Sequence, residues 1–399
     1  MDDALADQIA RILPEVTALR HELHAYPELS FKEYETSRKV REWLGALPNL
    51  TVLPPFIETD VVAVLNPDRE GPCLALRADL DALPITEELD IPHKSRNQGV
   101  MHACGHDGHT AVLAGAAAVL ARMADQLPGK VKFIFQPAEE DGGGGGVLVQ
   151  RGVLDAPRVD AAVALHAWPT QPLGSIAIRH GAATAANNEI RIRVRGRGGH
   201  GAYPHRCVDP ILVAAHIVTG LQSLVARHVN PFESAVVTIG QITAGAAANV
   251  IPPECHMRGT IRYYLPEIGE LLREGTRRIA QSIAHAQGAE ADVQILGGYP
   301  ALSNDEQVAE LIENTARDLF GDEHVITKES PSMGAEDFAF YAQKVPAAMF
   351  RLGVRPPDMD VYPGLHNPRF EFRDEALPVG IRMFCELVLR FLRERGAAA

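Results

Sequence analysis

Two segments of one stretch, Ala161-Ala162-Val163-Ala164-Leu165 and Glu189-Ile190-Arg191-Ile192-Arg193-Val194-Arg195-Gly196-Arg197, obey different rules. The first is apolar at every position, as a strand must be when helices cover both faces of its sheet. The second alternates strictly, Ile190, Ile192 and Val194 against Arg191, Arg193 and Arg195, which predicts a strand with one dry face and one wet face. A single sheet does not ordinarily change regime between adjacent strands. The switch near Ala185 therefore marks a domain boundary.

Working outward from that boundary, the N-terminal side repeats the first pattern. Leu5, Ile9, Ile12, Val16, Leu19 and Leu23 fall at helical spacing. Val61–Leu65, Cys73–Ala78 and Val131–Phe135 read as strands, and Thr110–Met123 as a buried helix. The fold class is α/β: a mainly parallel sheet with helices on both faces. The C-terminal side of the boundary reads differently. Helices at Pro210–Arg227 and about Glu267–Gln287 separate strands at Ala235–Ile242, His256–Tyr263 and Asp292–Leu296. That order predicts a smaller α+β, ferredoxin-like domain with two helices on one face of four antiparallel strands. After Tyr299 the α/β style returns, with a helix at Asp305–Phe320, a strand at Ala347–Leu352 and a helix at Asp374–Arg393. The expected organisation is a catalytic domain of residues 1–184 and 297–399, interrupted by a lid or dimerisation domain of residues 185–296.

Composition agrees with an ordinary globular protein: 399 residues, 46% hydrophobic and 22% charged. At about 150 residues per domain, two or three domains are expected. Lys+Arg is 38 and Asp+Glu is 51, a net charge of −13. An acidic chain is a poor partner for nucleic acid or an anionic membrane. The longest apolar run, near Ala111–Ala121, is too short to span a bilayer. Cys73, Cys104, Cys207, Cys255 and Cys385 are odd in number and form no CxxC pair, so a reducing compartment is expected. The N-terminus has no basic segment followed by an apolar core, and the expected location is the cytoplasm.

Four elements carry chemistry. Met101-His102-Ala103-Cys104-Gly105-His106-Asp107-Gly108-His109 places one thiol and three imidazoles within a few residues, a density that points to a metal site rather than a polar loop. Gln136-Pro137-Ala138-Glu139-Glu140 puts two carboxylates at the carboxyl end of a strand, where open α/β sheets bind ligands. A solvated acidic turn is the competing reading. The following run, Gly142–Gly146, lacks the Gly-Lys-Ser/Thr of a phosphate-binding loop. His166 ends the strand Ala161–Leu165, and His366 lies in a Pro/Gly loop. Neither histidine would be singled out alone.

Taken in order along the chain, these elements resemble the aminoacylase/carboxypeptidase amidohydrolases of peptidase family M20. The resemblance is strongest to the branch of hippurate hydrolase, N-acyl-amino-acid amidohydrolases and auxin-conjugate hydrolases. Leu76–Pro84, Gly198–His205, Asn249–Pro252 and Gly259–Arg262 match as well. The resemblance implies two divalent metal ions held by Cys104, His106, Glu140, His166 and His366, with Cys104 as the bridge. Zn²⁺ suits that donor set first, with Mn²⁺, Co²⁺ or Ni²⁺ as alternatives. Arg77 stands where other branches carry a histidine ligand. The resemblance further implies Glu139 as general base, and Asp79 as the group that orients a ligand histidine. His200 and Asn249 would stabilise the oxyanion, and Arg262 would grip the substrate's carboxylate. The expected reaction is hydrolysis of an N-acyl amino acid, with a dipeptidase or carboxypeptidase on the same scaffold as the alternative. A non-catalytic descendant would have lost Glu139 or a ligand, and this chain has kept them all. Acyl specificity would lie in walls near Ser332–Phe338, and the lid domain would build a homodimer. The arginine ladder at 191–197 reads as a solvated strand face.

Overall fold

A computed structural model describes residues 2–397. The chain forms two compact units. The first takes the chain up to Ala183, then Ser303–Ser330 and everything from Asp337 onward; the second takes Thr184–Leu302 and Pro331–Glu336. The short return segment belongs to the second unit because the Ala185 amide donates to the carbonyls of Ser332 and Gly334, at 3.0 and 2.9 Å. A pattern reading places that segment in the larger domain, since a pairing across 147 positions, from 185 to 332, leaves no periodic trace.

The first unit is built on an eight-stranded sheet in the order Leu50–Val52, Val61–Leu65, Lys130–Gln136, Cys73–Asp79, Ala161–Pro172, Ala347–Arg355, Ile176–Ala177, Val325–Ile326. The four central strands run parallel to one another. The sheet turns antiparallel where Val61–Leu65 joins Lys130–Gln136. Side chains alternate between faces along each strand. Leu74, Leu76 and Ala78, with Phe133, Phe135, Val163 and Leu165, share one core with the helices Asp2–Ala25, His106–Arg122 and Leu377–Ala397. The alternate positions carry Arg77, Lys132 and Gln136, all buried. A buried polar group must find a partner or cost several kcal/mol. Lys132 Nζ donates to the carbonyls of Val153 and Pro157, both at 2.8 Å, and Gln136 Nε2 donates to Asp337. Both side chains thus keep polar partners within the buried face.

Several elements differ from the sequence reading, the short strands Leu50–Val52, Ile176–Ala177 and Val325–Ile326 among them. Tyr34–Gly45 is a helix that the pattern did not reveal. Gly144–Gln150 is another, and it opens with three of the five glycines. Each glycine in a helix costs about 1 kcal/mol relative to alanine, so propensity argued against it. Packing decides otherwise: a Cβ on Gly144 would stand 1.8 Å from the Pro137 carbonyl, so only glycine lets the chain fold back there. Finally, the strand begun at Ala161 continues to Pro172, so His166 lies within it rather than at its end.

The second unit holds a four-stranded antiparallel sheet, ordered Ala235–Ala244, Glu254–Tyr263, Ala186–Arg195, Glu290–Gly297. Helices Pro210–His228 and Pro266–Ala286 complete a βαββαβ, ferredoxin-like order. Ile190, Ile192 and Val194 face the core with Val213, Ile217, Leu221 and Leu272. A slip of one residue would bury three arginines instead, so burial fixes the register. Among the described residues, Pro210–His228 is the one helix long and apolar enough to cross a membrane by length and composition. Its stripe of Val213, Ile217, Leu221 and Leu224 is part of this core.

Candidate active site

The five ligands expected from the sequence come together in the first unit. Donor atoms of Cys104, His106 and His166 lie within 4.8 Å of one another, as do those of Cys104, Glu140 and His366. His106, Glu139 and Glu140 form a third such group. The groups interlock through Cys104, His106 and Glu140. Cys104 Sγ is 3.5 Å from His166 Nε2, and Glu140 Oε1 is 3.2 Å from His366 Nε2.

Local backbone geometry explains the convergence. His106 is the first residue of its helix, entered through Gly105 at φ 88°. That left-handed turn, with an added Cβ only 3.2 Å from Ala167 Cβ, favours glycine. His166 comes from the central strand beside it. The His166 ring takes up the Ala167 carbonyl through Nδ1 at 2.8 Å, which leaves Nε2 as the free lone pair facing Cys104. His366 sits in its loop at φ 63°, and its amide donates to the Ala103 carbonyl at 2.8 Å.

Aspartates 79 and 81 divide the supporting contacts between them. Asp79 does not hold one of the expected ligand histidines. Its Oδ1 takes Nδ1–H of His109 at 2.7 Å and stands 3.8 Å from His106 Nδ1. His109 Nε2 in turn accepts the Ala167 amide at 2.8 Å, so neither ring nitrogen of His109 is open to a metal. Through His109, Asp79 thus braces the strand next to His166. His106 is oriented by the Asp81 carbonyl, which accepts from Nδ1 at 2.8 Å. The Asp81 carboxylate accepts the amides of Glu139 and Glu140, each at 3.0 Å, and the Ser30 hydroxyl at 2.7 Å. Sequence reasoning passed over Asp81, although it stands in the quoted Asp79-Leu80-Asp81 run. Period two along an extended chain is the available signal, since it puts positions 79 and 81 on one side.

Arg77 joins this arrangement from below. It donates to Asp79 at 2.7 Å, to Asp337 at 2.8 Å and to Gln136 at 3.0 Å, all fully or almost fully buried. In the place of a ligand histidine, this chain has a fixed cation that holds two acids.

The charge distribution calls for a cation. Burial raises the Cys104 thiol pKa well above its usual range, and the Glu140, Glu139 and Asp79 carboxylates raise it further. Burial disfavours a charged His106, but Asp79, Asp81 and Glu140 outweigh it and push its pKa up to about 10. For His166 burial dominates and holds the ring neutral, as a ligand must be. His106 Nε2 is buried without a hydrogen bond, and Glu140 Oε1, 3.2 Å from His366 Nε2, lacks hydrogen-bond geometry. Open imidazole and carboxylate donors beside a buried thiol fit divalent transition metals.

The three remaining candidates lie in the second unit. His200 pairs with Val250 across a short antiparallel ladder, and the Asn249 carbonyl accepts the Gly201 amide at 2.8 Å, so these two residues are neighbours. Both are exposed. Arg262 lies on the strand Glu254–Tyr263, half-buried, with no carboxylate partner among the described residues, and burial lowers its pKa. The arginine ladder is exposed and paired: Arg193 reaches Glu254, and both Arg191 and Arg258 reach Glu189.

A mainly parallel sheet carrying interlocked thiol, imidazole and carboxylate donors beside an additional glutamate defines a metal-dependent hydrolase. Sequence comparison makes the class specific. The model of Peptidase family M20/M25/M40 matches residues 75–390, and the chain belongs to this family as a metallo-amidohydrolase. It is 38% identical to an N-acetylcysteine deacetylase of Bacillus subtilis over 93% of this chain and 95% of the relative. It is 34% identical to thermostable carboxypeptidase 1 of Saccharolobus solfataricus over 98% of each chain. Among solved structures it resembles the YXEP protein of Bacillus subtilis, a dinuclear metal-binding peptidase of the M20 family. That match has a TM-score of 0.82 and 34% identity, and covers 96% of this chain and 99% of that one.

Proposed function

We propose that the protein hydrolyses the amide bond of N-acyl amino acids, releasing a carboxylic acid and a free amino acid. The observation that carries this reading is the position of Glu139. Its carboxylate shares a cluster with His106 and Glu140, and its backbone is pinned by Asp81. Cys104, His106, Glu140, His166 and His366 would hold two divalent ions, with Cys104 between them. When bound, such ions lower the pKa of water and polarise a carbonyl oxygen. Zn²⁺ suits the set first.

Glu139 then takes a proton from the attacking water and delivers it to the leaving nitrogen. His106 is kept in the tautomer that presents Nε2, because Nδ1–H is committed to Asp81. His200, with Asn249, donates to the oxygen that becomes negative. Arg262 pairs with the free carboxylate of the amino-acid half. The second unit serves as lid and as the contact of a homodimer, in a cytoplasmic enzyme. Similarity to a carboxypeptidase across almost the whole chain supports peptide cleavage as the second reading.

One set of measurements tests both. N-acetyl- and N-benzoyl-amino acids should be cleaved with higher kcat/KM than dipeptides by metal-stripped enzyme reloaded with each ion in turn. Preference for dipeptides with every ion selects the second reading. In Glu139→Gln, metal content should be unchanged and kcat should fall by at least 10³-fold, the upper range for a general base. A variant that stays active removes Glu139 from the reaction.

A further inference from the structure

The turn that carries Glu139 is held from behind by a segment with no part in metal binding. Leu29 bridges Ala82 in parallel, and the Ala82 amide donates to the Glu28 carbonyl at 2.8 Å. Ser30 donates to Asp81. Glu33, fully buried, completes the contact. Its Oε1 accepts the amides of Ala138 at 2.9 Å and Phe31 at 3.0 Å, and its Oε2 accepts the Thr59 hydroxyl at 2.9 Å.

As a result, three consecutive amides have buried carboxylate acceptors: Ala138 on Glu33, Glu139 on Asp81 Oδ1 and Glu140 on Asp81 Oδ2. Ala138 has φ 57°, a left-handed conformation uncommon for a residue with a Cβ. Such a conformation persists only where its surroundings over-determine it. The residue after it is Glu139. A change at φ of Ala138 would swing the Glu139 backbone away from Asp81.

We infer that Glu33 is a positioning residue for the reaction: its buried oxygen fixes Ala138 in the left-handed turn that aims Glu139. The inference rests on the reading of Glu139 as the proton-transfer group. Glu33 acts through hydrogen-bond acceptance rather than charge. Burial, with Asp81 adding to it, pushes its pKa up to about 7, and the carbonyl oxygen accepts in either protonation state. It touches none of the expected ligands, so its removal should separate rate from metal content.

The test compares Glu33→Ala, Glu33→Met, Glu33→Gln and Glu139→Gln in metal-loaded full-length protein. kcat, KM, bound metal per chain and thermal melting are measured for each. A displacement of the base by about 1 Å is expected to lower kcat roughly 100-fold in Glu33→Ala and Glu33→Met. KM should stay within threefold, and metal per chain should be unchanged. Glu33→Gln keeps an acceptor oxygen and should recover kcat to within threefold of wild type. Glu33→Met fills the site without an acceptor and serves if Glu33→Ala fails to fold. Wild-type kcat in a folded, metal-replete Glu33→Met overturns the inference, as does a Glu33→Gln variant no faster than Glu33→Met. If Glu139→Gln is inactive while Glu33→Met is not, the inference fails and the base assignment stands. An active Glu139→Gln overturns both.

Discussion

Two arrays of arginine and carboxylate, one in each unit, make opposite use of the same chemistry. In the first unit Arg77 links Asp79 and Asp337 with side-chain exposures of 0–1%. In the second, Arg191, Arg193 and Arg195 meet Glu189, Glu254 and Glu290 on a wet face, and the arginine side chains are 46–49% exposed. The distances are alike, 2.7 and 2.8 Å in the first and 2.6–3.4 Å in the second. Separation therefore does not distinguish them; water does. An exposed pair exchanges hydration for a contact of similar worth. A buried pair has lost hydration on both sides, so removing one partner strands the other. Buried charge of this kind orients a site, while the exposed ladder keeps one sheet face soluble.

Measurements on both arrays test that difference. The largest effect belongs to Glu139, where the glutamine variant should lower kcat by 10³–10⁴-fold, against no change for Glu254→Gln on the ladder. Equal effects at both positions would erase the distinction.

Arg77→Met comes next. It leaves Asp79 and Asp337 without their cation, and a denaturant titration should show about 3–5 kcal/mol of lost stability. A loss below about 1 kcal/mol would place Arg77 with the surface pairs.

His24 tests the buried side by pH. Burial opposes its charge, but Asp107, 2.9 Å from Nδ1, and Glu87 outweigh this and raise its pKa from 6.5 to about 9. A raised pKa stabilises the folded state fully below pH 6.5 and loses that contribution as pH rises through 9. The rise corresponds to ~3 kcal/mol. Denaturant titrations from pH 6 to 10 on wild type and His24→Asn should show a stability difference that shrinks across that window. A difference independent of pH would deny the charged pair.

Arg262 is intermediate in burial between the two arrays and has no carboxylate partner among the described residues. If a substrate carboxylate is that partner, amidating the carboxylate should lower kcat/KM roughly 10–150-fold, and Arg262→Ala should add little further loss on the amide. Equal losses on acid and amide would point to a weakened strand instead. The smallest effect is expected for Arg193→Ala, with no measurable change in melting temperature or kcat.

Both strand regimes are legible in the amino-acid sequence, because burial of one face or both is written into every second residue. The dense thiol-imidazole run and the paired glutamates were legible by residue type, whereas His166 and His366 joined them only through the family resemblance; the fold brings all six side chains together. Tertiary structure alone decided who supports them. Asp79 contacts His109 rather than His106, Asp81 takes the amides of the acid turn, and Glu33 reaches Ala138 across 105 positions. The glycine run became a helix for the same reason, since close approach to Pro137 outweighed propensity. Periodicity records what each residue does with water. Which buried acid meets which buried donor depends on strand order and loop path, and neither leaves a mark on neighbouring residues.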